Sequence, residues 1–74
     1  MSLDDVKLLL TLSGYDFTTI KLSAPCIIIV RGNQVICSVY YRSGKFCIKK
    51  MGKADNIVAA GDVVNTIRQD YDYL

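Results

Sequence analysis

The feature that most constrains this chain is the stretch 26–50, where two tight-turn signals separate three strand-like runs. Gly32-Asn33 and Ser43-Gly44 stand between the runs, and such pairs accept the positive φ angles that two-residue hairpin turns require. We therefore predict two consecutive β-hairpins that form an antiparallel meander. Short turns also fix which residues face each other across the strands.

Two-residue turns predict a definite register. In the first hairpin Ile29 faces Ile36. In the second hairpin Tyr40 faces Cys47. Side chains alternate between the two faces of a sheet, so this register predicts a core face made of Cys26, Ile28, Val30, Val35, Cys37, Val39, Tyr41, Phe46 and Ile48. It predicts an opposite, mixed face made of Ile27, Ile29, Arg31, Gln34, Ile36, Ser38, Tyr40, Arg42, Lys45, Cys47 and Lys49.

Helical patterns flank the meander. Residues 1–13 predict a helix, with Ser2 and Asp5 at capping-box spacing and Gly14 as a typical end. Its apolar face comprises Leu3, Val6, Leu9, Leu10 and Ser13, widened by Leu8 and Leu12. Residues 15–22 predict a first strand, and residues 55–71 predict a second helix. Gly61 disfavours a helix interior, so a start at Asp62 is the alternative. Residues 71–74 predict a frayed end or an arm that docks on a partner.

These elements predict a two-layer α+β fold in the order α-β-β-β-β-α. An antiparallel meander of about four strands carries the N-terminal and C-terminal helices on one face. Seventy-four residues predict a single domain spanning 1–74. A chain of this size buries only about 60% of its unfolded surface, and it is 51% hydrophobic. We therefore expect a homodimer to cover the remaining apolar surface.

Charge is distributed unevenly along the chain. Residues 17–54 contain no acid and carry seven cations, whereas residues 1–16 sum to −2 and residues 55–74 to −3. A basic sheet between acidic helices attracts polyanions to one side of a molecule. The predicted nucleic-acid contacts are Arg31, Tyr40, Arg42, Lys45, Lys49, Lys50 and Lys53. The cations would bind phosphates of DNA or RNA and Tyr40 would stack on a base, with little reading of sequence.

A protein-interaction module, such as a small regulator or inhibitor, is the alternative function. Ile27, Ile29 and Ile36 would then form an apolar anchor with a cationic rim. The same cations would attract an acidic protein partner. The plainest interpretation is a solvated face whose cations keep the sheet from aggregating.

Several classes of function are excluded or disfavoured by composition. The chain has no histidine, which excludes histidine-based acid–base catalysis and histidine-containing triads. Three cysteines without a CxxC pair predict no metal site and no cofactor, although Cys47 beside Lys45 and Lys49 is a minor candidate for a reactive thiol. No membrane span or signal-peptide pattern is present. We expect a non-enzymatic, cytoplasmic protein that does not contact membranes.

Overall fold

The computed structural model describes residues 2–21 and 23–72 and arranges five strands and two α-helices in the order α-β-β-β-β-β-α, with a short 3-10 helix (Ala60–Asp62) before the second α-helix. The elements are α1 (Leu3–Leu12), β1 (Asp16–Lys21), β2 (Pro25–Arg31), β3 (Gln34–Arg42), β4 (Lys45–Lys49), β5 (Asn56–Val58) and α2 (Val63–Asp70). The predicted α+β class is confirmed, with one more short strand than expected. Four residues lie outside the described part: Met1, Leu22, Tyr73 and Leu74. The predicted end of the first strand and the last residues of the predicted arm are among them.

The five strands form one antiparallel sheet in sequence order, β1-β2-β3-β4-β5. Both predicted two-residue turns form. At the second turn Arg42 pairs with Lys45. Ser43 and Gly44 between them have φ angles of 50° and 84°, the left-handed values that match the twist of a hairpin. The predicted register of the β3–β4 hairpin is confirmed along its whole length.

The β2–β3 hairpin departs from the prediction a short distance from its turn. Ile29 pairs with Cys37 rather than with Ile36, because the register shifts at the step from Ile29 to Val30. Ile36 is the extra residue of a β-bulge in β3. One inserted residue sends every side chain beyond it to the opposite face of the sheet.

The bulge exchanges the two faces of β2. Ile27 and Ile29, predicted on the mixed face, are fully buried in the core, and Ile36 at the bulge is buried with them. The strand's other apolar residues, predicted in the core, are half-buried on the opposite face: Cys26, Ile28 and Val30. The prediction failed because residues 26–30 are apolar at every position, so alternation alone does not tell one face from the other.

Helix α1 follows its prediction closely. The backbone N–H of Ser2 donates to the Asp5 carboxylate at 2.7 Å, as in the predicted capping box. Val6 and Leu10 are fully buried against the sheet. The predicted widening of this stripe is wrong for two leucines, which are exposed: Leu8 and Leu12.

Helix α2 is shorter than predicted. Residues 56–58 pair with β4 instead of starting the helix, and the β-branched Ile57 and Val58 favour a strand. The helix begins at Val63, after Asp62, in agreement with the alternative start, although Asp62 makes no side-chain capping bond. Val63 and Ile67 are fully buried beside α1, so both helices share one core with one face of the sheet.

Candidate nucleic-acid interface

Within residues 2–21 and 23–72, both helices lie on one face of the sheet and no helix covers the other. We call this second side the open face. The alternation of side chains along each strand and the register between strands show which side chains lie on the open face. They are Asp16, Thr18, Ile20, Cys26, Ile28, Val30, Val35, Ser38, Tyr40, Arg42, Lys45, Cys47, Lys49 and Ile57.

The β3–β4 hairpin brings one tyrosine and three cations together on the open face. Tyr40 and Arg42 come from β3, and Lys45 and Lys49 come from β4. Arg42 stands directly opposite Lys45, and neither forms an ion pair with any described residue. Like charges at opposite positions of a strand pair destabilise a sheet. An anion between these two side chains would offset that repulsion.

Tyr40 is half-buried beside the cations. Its neighbour Lys49 has its ammonium 5.7 Å from the centroid of the tyrosine ring and 3.8 Å from a carboxylate oxygen of Asp55. The hydrogen bond between Tyr40 and the Cys47 thiol raises the pKa of the phenol above its ordinary value. The half-buried ring lies on a face that no described helix covers, so it can stack on a base.

Cys47 lies on the open face, as predicted, but has no exposed surface. Its strand neighbours on that face are Tyr40 and Ile57. A thiol without accessible surface does not meet external reagents, so the reactive-thiol hypothesis for Cys47 is wrong despite the lysines on either side.

Arg31 does not lie with the open-face cations. Its guanidinium forms two hydrogen bonds with the Asp72 carboxylate, at 2.5 Å and 2.8 Å, and Asp72 also accepts from the Tyr15 hydroxyl at 2.9 Å. The Arg31 hydrogen bonds hold the pKa of Asp72 below its ordinary value. This contact joins the end of β2 to the segment after α2, on the helix side of the sheet.

Lys50 and Lys53 follow β4 and are not among the open-face side chains. Lys50 lies at the edge of the sheet, where it lines one cavity of about 160 Å³ with Asp72 and another of about 300 Å³ with Ser38 and Lys49. The Lys53 ammonium donates to the backbone carbonyl of Asp70 and lies 4.8 Å from the ring centroid of Tyr71. The structure therefore brings together four of the seven predicted contact residues: Tyr40, Arg42, Lys45 and Lys49.

The other half of the open face is apolar. Val30 of β2 faces Val35 of β3 across the hairpin, and Val35, predicted in the core, is 60% exposed. Ile28 lies next to them along β2. The alternation of the sequence predicts all three in the core, because it does not account for the bulge at Ile36.

Comparison of the chain with protein-family models, with curated proteins and with solved structures gives no significant match. In the described part of the chain, no three His, Cys, Asp or Glu side chains cluster in a way that would hold a metal ion. No described helix combines the length and the apolar character needed to span a membrane.

Proposed function

We propose that this protein is a non-enzymatic module that binds nucleic acid through the cationic half of its open face. The observation that carries the proposal is the unpaired juxtaposition of Arg42 and Lys45 beside Tyr40 on an uncovered sheet. Such a juxtaposition costs folding free energy unless an anion offsets it. A backbone of regularly spaced phosphates is the polyanion that suits a row of cations on adjacent strands.

The four residues have separate roles. Arg42, Lys45 and Lys49 contact phosphates, which gives affinity with little dependence on sequence. Tyr40 stacks on a base. Arg31 and Lys53, which are engaged on the helix side, are not included. Lys50 is left out because it follows the end of β4 and is not among the open-face side chains. The proposal applies to DNA and RNA alike and places the protein in the cytoplasm.

Charge reversal at Arg42 and Lys49 tests the proposal. Fluorescence anisotropy with labelled single strands and duplexes of DNA and RNA measures affinity at roughly 50 mM and 200 mM salt. Three phosphate contacts predict that affinity falls roughly 20–40-fold between these two salt concentrations. The Arg42→Glu/Lys49→Glu variant is expected to lose detectable binding at the lower salt concentration, because two of the three contacts become repulsive.

The matched control reverses two cations outside the open-face group, Lys7→Glu and Lys21→Glu, and gives the same net charge. Lys21 is exposed, Lys7 forms an ion pair with the exposed Asp4 on α1, and neither is among the open-face side chains. This control is expected to retain the salt dependence of the unmodified protein. Equal affinity of the two double variants would overturn the assignment of the site, and the absence of any binding by the unmodified protein at low salt would overturn the function.

A second candidate function is protein interaction, and the apolar half of the open face favours it. The anchor predicted from Ile27, Ile29 and Ile36 is buried, so Val30 and Val35 take its place. We infer a second copy of this chain as the occupant, because Asp16 and the Arg42–Lys45 pair lie at opposite corners of the face. Two copies packed face to face can bring these corners together.

The mass of the protein in solution, measured by light scattering at low and at raised salt, distinguishes a dimer from a monomer that binds nucleic acid. A dimer held by apolar contacts persists at raised salt, whereas binding to phosphates weakens. Val35→Asp is expected to give a folded monomer, since Val35 is exposed. A monomeric mass of the unmodified protein at high protein concentration would exclude the dimer.

A further inference from the structure

The open face contains a cavity beside Tyr40 that the four contact residues do not fill. Its volume is about 320 Å³, which lies at the lower end of the range for small-molecule sites, about 300–1,000 Å³. We call it the Tyr40 cavity. It is lined by Ser23, Ala24, Cys26, Ser38, Tyr40 and Lys49.

The lining combines an aromatic ring with polar groups. The Ser38 hydroxyl donates to the backbone carbonyl of Lys49 at 3.4 Å, a long bond that leaves the oxygen of the hydroxyl free to accept. The Lys49 ammonium makes only loose contacts, with the Tyr40 ring and with Asp55. Exposed contacts of both kinds contribute little, so Lys49 can turn towards a phosphate at small cost.

We propose that the Tyr40 cavity takes one unpaired base of a single-stranded nucleic acid. This inference rests on the proposed function and specifies its ligand. The base stacks on Tyr40, and the phosphates beside it contact Lys49 and Arg42. None of the described residues that line the cavity carries a carboxylate. Asp55 lies outside the lining, 3.8 Å from the Lys49 ammonium. A paired base is held inside a duplex stack and does not reach such a cavity, so single strands are preferred.

Cys26 is a native reporter of occupancy. Cys26 lines the cavity and is half-buried, whereas Cys37 and Cys47 are 1% and 0% exposed. Burial raises the pKa of the Cys26 thiol, so alkylation is measured at mildly alkaline pH to obtain enough thiolate. A base in the cavity would block access to this one cysteine and leave the two buried cysteines unchanged.

The first experiment follows the alkylation of Cys26 by iodoacetamide with peptide mass spectrometry on the native protein. A DNA single strand is expected to slow the reaction several-fold, and the same sequence as a duplex, at equal phosphate concentration, is expected to leave the rate unchanged. A single strand that binds without slowing the alkylation of Cys26 overturns the cavity assignment but leaves the proposed function intact. Failure of both nucleic acids to bind overturns the proposed function itself.

Substitution of Ser38 gives an independent test. Ser38→Ile fills the cavity with a β-branched residue that suits a strand, and the same change at Thr18 of β1 is the matched control on the open face. Ser38→Ile is expected to lower single-strand affinity roughly tenfold and to leave duplex affinity unchanged. Thr18→Ile is expected to change neither. The inference is overturned if the Ser38→Ile variant melts normally and binds single strands as tightly as the unmodified protein does.

Discussion

The carboxylate of Asp72 binds side chains from two distant parts of the chain. It accepts two hydrogen bonds from Arg31 at the end of β2 and one from Tyr15 before β1. The Asp72 side chain is only 12% exposed, so water competes weakly for these bonds. Tyr71, its neighbour, is 2% exposed and belongs to the core. The first half of the predicted terminal arm is therefore part of the fold.

Asp72→Asn is expected to lower the free energy of unfolding by about 1 kcal/mol near neutral pH, because a charged acceptor of three hydrogen bonds is lost. The lowered pKa of Asp72 means that its stabilisation is present above the unfolded-state pKa of about 3.9. This stabilisation is lost as the pH falls through the lower, folded-state value. The difference between the two proteins should therefore shrink below about pH 4.

Urea denaturation at several pH values measures this effect. Asp70→Asn, two residues earlier, is the control, because the Asp70 carboxylate has no hydrogen bond or ion pair among the described residues. A difference between Asp72→Asn and the unmodified protein that stays constant from neutral to acidic pH would contradict the account of this contact.

At the residue scale, sequence reasoning succeeded where the interaction was local. The bond between Ser2 and Asp5 follows from a spacing of three residues. The bond between Arg31 and Asp72 joins residues 41 positions apart, and nothing in the sequence near Arg31 marks its partner. The sequence alone therefore predicts a phosphate contact for Arg31, whereas its guanidinium binds the Asp72 carboxylate.

At the scale of strands and helices, the two hairpins show when a register can be predicted. In β3 and β4 the turn and the alternation of polar and apolar residues agree, and the predicted pairs form. In β2 five successive residues are apolar, so the sequence does not show which of them point into the core. The bulge at Ile36 determines which side chains of β2 face the helices. The buried Ile27 and Ile29 then form the core side of that strand.

Neighbouring isoleucines of β2 test this register. Ile29→Ala is expected to lower the free energy of unfolding by about 2–5 kcal/mol, because it leaves a cavity in the core. Ile28→Ala removes the same atoms from the half-buried open face and is expected to cost less than half as much. Chemical denaturation of both variants gives the comparison. A larger cost at Ile28 would mean that β2 pairs without the bulge.

Across the whole molecule, positive charge predominates on the open face. Arg42, Lys45 and Lys49 share that face with one acid among its described side chains, Asp16, whereas the acids of the helix side lie among cations that include Arg31 and Lys53. A polyanion is therefore attracted more strongly to the open face than to the helix side. The sequence predicted this asymmetry from the acid-free stretch 17–54, but not which cations share the open face, since that depends on the faces of the strands and on the contacts after β4.

Chemical-shift mapping of the isotope-labelled protein during titration with a short DNA single strand would locate the nucleic-acid interface residue by residue. The backbone signals of β3 and β4 around Tyr40, Arg42 and Lys49 are expected to shift progressively at low salt. Signals of α1 and α2 should stay in place. Shifts confined to the helix layer, or no shifts at low salt, would contradict the assignment of the open face as a nucleic-acid interface.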